Sequence, residues 1–117
     1  MCIRDRYNID HARTLAIIAP RLYTEMFDTK KEKMAQYGER IWHLTGSVDE
    51  VAKQAIEKTE AFFHTMGIQT RLSEYTDEYL NTADFIVNRF NERGWKALGE
   101  KQNVTLDKVR AIVEKSY

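Results

Sequence analysis

Tyr7-Asn8-Ile9-Asp10-His11-Ala12-Arg13-Thr14-Leu15-Ala16-Ile17-Ile18-Ala19-Pro20 decides how this chain folds. A short polar turn gives way to a run of alanine, leucine and isoleucine without strict alternation, which argues for a helix over a half-buried strand. Asp10 stands just ahead of the run, where a carboxylate can accept from a free first-turn amide, so it is the expected N-cap. Ala12, Leu15, Ala16, Ala19, Leu22, Tyr23 and Met26 recur at helical spacing and predict one broad buried face. Pro20 lies inside the same helix. It removes a backbone donor and crowds the carbonyl of Ala16, so a kink is predicted there. His11 is carried at the threshold of this helix.

The same pattern of capped apolar segments continues to the C-terminus. Thr29-Lys30-Lys31-Glu32 has the spacing of a capping box, and Met34, Tyr37, Ile41, Trp42 and Leu44 would face inward behind it. That helix is expected to stop at Thr45-Gly46. Ser47-Val48-Asp49-Glu50 is a second capping box, opening a helix whose buried face runs through Val51, Ala52, Ala55, Ile56, Thr59, Phe62, Phe63 and Met66. Gly67 can close it in the left-handed conformation. Ile68 to Tyr75 has no helical period and reads as an extended connector over the core. Thr76 is the expected cap of a fourth helix, with Tyr79, Leu80, Ala83, Ile86, Val87 and Phe90 inward and Gly94 at its end. Trp95 to Asn103 reads as a loop with a short turn. Thr105 caps the last helix, with Val104 and Val109 at the two staple positions. The fold class is all-α, a single domain of about five helices, with no internal repeat or flexible linker.

Composition narrows the function classes. At 117 residues the chain can bury a usable core. Eighteen basic and eighteen acidic residues cancel, so no net field recruits nucleic acid or an anionic membrane. No apolar run approaches the ~20 residues that cross a bilayer. The single cysteine, Cys2, has no internal partner for a disulfide. The reading is a cytoplasmic protein. Residues 1–6, Met1-Cys2-Ile3-Arg4-Asp5-Arg6, do not fit the helical pattern of the remaining chain. They read as a leader joined to it by cloning or read-through, with a short disordered N-terminus as the alternative.

Among residues able to carry chemistry, His11 stands out. Neutral imidazole suits Fe(II) and Zn(II), and a ligand at a helix start has its backbone fixed by the cap. Spacing by itself favours an exposed helix-start histidine. His43 and His64 lack a second ligand at three- or four-residue spacing and read as boundary positions. Asp10 is accounted for as a cap. Tyr37, Trp42, Phe62, Phe63 and Phe90 read as core aromatics, with no basic stripe between them for base stacking. Cys2 has no catalytic partner.

From Tyr7 to Tyr117 the motifs resemble, in order, the C-terminal part of iron-containing alcohol dehydrogenases, nearest the NADPH-dependent aldehyde reductase and butanol dehydrogenase branch. The turn Tyr7-x-x-Asp10-His11 leading to Thr14-Leu15-Ala16-Ile17 and Pro20 is similar to the segment with that family's last metal-binding histidine. Lys33-x-x-x-Tyr37-x-Glu39-Arg40-x-Trp42 resembles its next helix. Phe62-Phe63-x-x-Met66-Gly67-Ile68-x-Thr70-Arg71-Leu72 resembles a later passage, with Gln69 where proline is usual. Leu98-Gly99-Glu100 and Thr105-Leu106-Asp107 resemble the closing one.

The resemblance implies an all-α, metal-binding C-terminal domain over residues 7–117, truncated on its N-terminal side. It implies a parent oxidoreductase interconverting aldehydes and primary alcohols with NADP(H), through iron or alternatively zinc. The family's iron is held by an aspartate and three histidines, and only His11 corresponds to one of them here. No catalytic and no cofactor-binding residue carries over, so the isolated chain is expected to be inactive and to hold neither metal nor nucleotide tightly. The expected partners are a small aldehyde or alcohol in the parent and a second copy of the chain. The competing class is a non-catalytic helical interaction or oligomerisation module. A reading frame continuing upstream into a nucleotide-binding domain would separate the two.

Overall fold

The apolar run that begins at His11 forms one helix, and the rest of the molecule is arranged on its two sides. In the computed structural model, which describes residues 2–117, the order is α1 (Cys2–Tyr7), α2 (His11–Glu25), α3 (Phe27–Trp42), α4 (Val48–Thr65), α5 (Thr82–Glu92) and α6 (Leu106–Lys115). Single 3-10 turns at Leu72–Glu74 and Tyr79–Asn81 lie between α4 and α5. Between α5 and α6, β1 (Ala97–Leu98) and β2 (Val104–Thr105) pair antiparallel, Ala97 opposite Thr105 and Leu98 opposite Val104. This small hairpin replaces the expected loop. The all-α expectation holds.

Two apolar cores are present among the described residues. One gathers Ile3, Ile9, Ile17, Leu72, Ala83, Ile86, Val109 and Val113 from α1, α2, the connector, α5 and α6. The other lies within the α3–α4 hairpin and holds Met34, Ala35, Val51, Ala52, Ala55 and Ile56. α2 packs against both α4 and α6, and so joins the two. The assembly is flat, 43 × 33 × 18 Å. At the centre of the hairpin Gly38 lets the helices approach closely: a Cβ there would meet Val51 Cγ1 at 2.9 Å.

Several boundaries differ from the sequence expectation, each for a local reason. The extent of α2 is as expected: it runs through Pro20 to Glu25 as one helix, with Pro20 buried. Its buried residues are Thr14, Ala16, Ile17, Pro20 and Arg21, whereas Ala12 and Leu15 are exposed. The face is turned because Arg21 enters the interior, where Glu60 pairs with it and the carbonyl of Lys115 accepts from its Nε at 3.3 Å. A periodicity count that treats arginine as polar cannot find that face.

Thr29 is not a cap. Only Met26 separates α2 from α3, so the second helix starts a turn earlier, and the Thr29 amide bonds to the Met26 carbonyl at 3.1 Å. α3 ends at Trp42, where His43 takes the left-handed conformation, φ 55°. By contrast, the Ser47 capping box forms in full. The Glu50 amide donates to Ser47 Oγ and the Ser47 amide to Glu50 Oε2. α4 ends in a Schellman arrangement, with the Ile68 amide on the Phe63 carbonyl, the Gly67 amide on the His64 carbonyl and φ 77° at Gly67. Phe62 and Met66, expected inside, are exposed on its last turns.

Thr76 accepts from the Glu78 amide at 3.2 Å in a local turn, and α5 begins only at Thr82, leaving Leu80 exposed. Thr105 caps α6 through the Lys108 amide, and Val104 packs on the same core as Val109.

The leader was expected over residues 1–6; of these, the described residues from Cys2 onward belong to α1, and Ile3 is only 5% exposed. A disordered terminus is not what these residues form. One isoleucine at the right height on α1 reaches the first core, and that burial anchors the short helix.

Candidate functional site

Asp10 adopts extended backbone, φ −64° and ψ 158°, and its Oδ1 accepts from the Arg13 amide at 3.0 Å. Its Oδ2 lies 2.9 Å from Arg13 Nε. The carbonyl of Asp10 accepts from both the amide and the hydroxyl of Thr14, each at 3.0 Å. Ile9, just ahead, is buried in the first core, and Asn8 makes the turn with φ 54°. The backbone at His11 is therefore held from both sides, by an apolar anchor before the cap and by a complete first turn after it. The imidazole is exposed on the first residue of α2.

The turn is also tied to α5. Tyr7 Oη lies 2.6 Å from Thr82 Oγ1 and donates to the Glu78 carbonyl at 3.3 Å. Arg6 spreads over the ring of Phe85, 4.2 Å from its centroid. These contacts make the His11 turn a rigid corner between α1, α2 and the start of α5.

The other candidates are not brought to it. His43 is the exposed left-handed cap of α3. His64 is on α4, with Nε2 2.9 Å from Thr70 Oγ1. Among the described residues no three His, Cys, Asp or Glu side chains converge as a metal site. Asp10 acts as the cap it was expected to be. Trp42 and Phe62 form a ring contact at 6.4 Å between α3 and α4, and Phe90 packs on Trp95 at 5.5 Å. The position of Cys2 in α1 is described, but its side chain is outside the described atoms.

Two features were missed in the sequence. The first is the buried Arg21–Glu60 pair; its signal was an arginine in register with Thr14 and Ile17, on a face otherwise apolar. The second is a cavity bordered by α2, α5, the β1–β2 hairpin and α6, with Arg89 and Arg93 among its lining residues. Arg89 near the end of α5 and Arg93 just past it were visible, but the space beside them was not.

A geometry of one exposed imidazole on a braced helix corner can supply one ligand to a metal, but not a whole site. The model of the Fe-containing alcohol dehydrogenase family, C-terminal region, matches residues 3–117. This chain belongs to that family. The match begins at residue 3, ahead of Tyr7, and so takes in most of α1.

The chain is 41% identical over 109 residues to the NADPH-dependent aldehyde reductase YqhD of Escherichia coli, covering 92% of this chain and 28% of that protein. It is 36% identical over 69 residues to the NADP-dependent alcohol dehydrogenase 3 of Entamoeba histolytica, covering 59% of this chain and 17% of that one. The solved substrate- and cofactor-free form of the E. coli aldehyde reductase superposes with a TM-score of 0.90 at 39% identity, over 98% of this chain and 30% of its own. The chain thus spans less than a third of the length of these relatives. No helix among its described residues is long and apolar enough to cross a membrane.

Proposed function

We propose that the chain is the C-terminal helical part of a cytoplasmic enzyme that interconverts aldehydes and primary alcohols with NADP(H), and that His11 is one ligand of its metal. The observation that carries this reading is the placement of His11. It is the first residue of α2, exposed, on a corner braced by Asp10, Thr14 and the Tyr7–Thr82 contact.

The donor set fits iron in part. Imidazole is a suitable ligand for Fe(II), and equally for Zn(II). With one such donor at this corner, the remaining ligands have to come from the larger part of the enzyme. When bound, the metal supplies Lewis acidity toward the substrate oxygen, and the nicotinamide supplies or accepts hydride. What this chain contributes is position. The capped turn fixes where the imidazole starts, so that a ligand is not lost to loop motion. A small aldehyde or alcohol as substrate, and a second copy of the enzyme as partner, belong to the same proposal.

The test is a chimera in which this chain replaces the matching C-terminal segment of the E. coli aldehyde reductase. NADPH-dependent reduction of butyraldehyde and near-stoichiometric iron are expected. His11→Ala should lower metal affinity by about 10- to 100-fold or more, together with activity, while leaving NADPH binding intact. A folded chimera in which His11→Ala keeps its metal would end the assignment of His11. A folded chimera with metal and NADPH but no aldehyde reduction would end the assignment of the reaction.

A further inference from the structure

Asn81 stands at the N-cap position of α5 and makes no side-chain cap bond among the described residues. A tyrosine that follows α6 takes that role. Tyr117 Oη accepts from the Ala83 amide at 3.1 Å and donates to the Leu80 carbonyl at 3.2 Å. One phenol therefore satisfies a first-turn donor of α5 and a carbonyl of the 3-10 turn before it. Tyr117 is itself pinned. Its ring meets that of Tyr79 edge-on at 5.3 Å, and its carbonyl accepts from Ser73 Oγ at 2.9 Å. The Leu72 amide holds the preceding carbonyl, that of Ser116, at 2.8 Å.

Thr82, the first residue of α5, is fully buried, and its Oγ1 is the atom 2.6 Å from Tyr7 Oη. The phenol proton of Tyr7 goes to the Glu78 carbonyl, so at this contact Thr82 donates and Tyr7 accepts. Tyr7 ends α1, and after one short turn His11 begins α2. The first turn of α5 is thus held by Tyr117 and in turn holds Tyr7.

We infer that Thr82 and Tyr117 are positioning residues for the His11 ligand: Tyr117 fixes the start of α5, Thr82 fixes Tyr7, and Tyr7 fixes the turn that presents the imidazole. This rests on the reading of His11 as a metal ligand. Both residues act through other groups, by hydrogen bonds that set where the backbone lies. The apparent affinity of a ligand falls with the fraction of molecules that hold the binding-competent form. Thr82→Val keeps the side-chain volume and removes the donor, so it lowers that fraction without emptying the core.

The first arm of the experiment uses the metal-free 117-residue chain and follows hydrogen exchange at the Thr14 amide, which closes the first turn of α2 on the Asp10 carbonyl. Thr82→Val, checked for helical content, should speed that exchange about threefold to tenfold, as expected for one lost hydrogen bond. Thr82→Ser should restore it, and Tyr7→Phe, which removes the same contact from the other partner, should match or exceed Thr82→Val. Tyr117→Phe should speed it about threefold. Added to Thr82→Val it should change the rate by less than about twofold, because both act through one contact. Ile56→Ala in the other core should lower the urea midpoint and leave Thr14 exchange within about twofold. The second arm uses the chimera with Fe(II) and a competing chelator, where Thr82→Val should weaken iron binding about threefold to tenfold and leave NADPH binding intact. Unchanged Thr14 exchange in Thr82→Val, no restoration by Thr82→Ser, or additive effects of Thr82→Val and Tyr117→Phe would overturn the inference. So would iron affinity untouched by Thr82→Val where His11→Ala abolishes it. Iron retained in His11→Ala as well ends the ligand reading, and this inference with it.

Discussion

Arg21 of α2 is paired inside the protein with Glu60 of α4, and the same guanidinium donates to the last turn of α6. Three helices meet at one charge. The Arg21 side chain is 8% exposed and that of Glu60 27%, and Nη2 of Arg21 has no partner among the described residues. Glu60→Gln should therefore destabilise the chain by about 2–4 kcal/mol in urea unfolding, because it leaves a buried cation poorly compensated. Arg21→Met/Glu60→Leu should be more stable than that single variant, since it removes both desolvation costs together. A double variant weaker than Glu60→Gln would show that the pair contributes net stability.

Gly38→Ala tests the close approach of α3 and α4. Alanine favours a helix over glycine by about 1 kcal/mol. Here its methyl would meet Val51 Cγ1 at 2.9 Å, with Ala55 Cβ and the Val51 carbonyl both at 3.2 Å. Overpacking should win, for a net loss of about 1–3 kcal/mol. A rise in the urea midpoint would mean that the hairpin opens at little cost.

Ser47 and Thr29 carry the same motif with different fates. Ser47→Ala should cost about 1 kcal/mol, because a complete capping box is lost. Thr29→Ala should stay within about 0.5 kcal/mol, because Thr29 lies inside α3 and caps nothing. Equal losses at the two sites would contradict the observed start of α3.

Glu100 offers a pH-dependent contact. Its carboxylate accepts from Lys30 Nζ at 2.8 Å, joining the hairpin turn to α3, and this hydrogen bond holds its pKa below the ordinary glutamate value of 4.5. A group depressed in the folded state stabilises above its unfolded pKa and loses that contribution as pH falls through the folded value. The contact should therefore be intact at neutral pH and weaken only below about pH 4.5. A carbon-detected NMR titration should place Glu100 below an ordinary glutamate, and Lys30→Met should return it to normal.

How far the sequence could be read depended on where each contact lies. Asp10, Ser47, Gly67 and Thr105 act within a few residues of themselves, and each does what its local pattern predicts. The resemblance carried by Tyr7–His11 and the Phe62–Leu72 passage led to the right family. Thr29 and Thr76 misled because their roles depend on how tightly α2 joins α3 and on the extra 3-10 turn before α5. Arg21 and the arginines lining the cavity were out of reach for another reason. Their meaning comes from partners 39 residues away, in the case of Glu60, or from an empty space that no spacing encodes. Ile3 was overlooked because six residues are too few to show a period.

The two separate cores also bear on how the protein opens. Ile17 anchors one and Val51 the other, and α2 is the shared wall. Units that bury their own apolar residues exchange amide hydrogens as blocks. Amides of the α3–α4 hairpin should thus lose protection together, at a free energy distinct from that of α5 and α6, with α2 following the more stable block. In a larger enzyme this separates two duties: the hairpin can breathe or be replaced while the corner bearing His11 keeps its place.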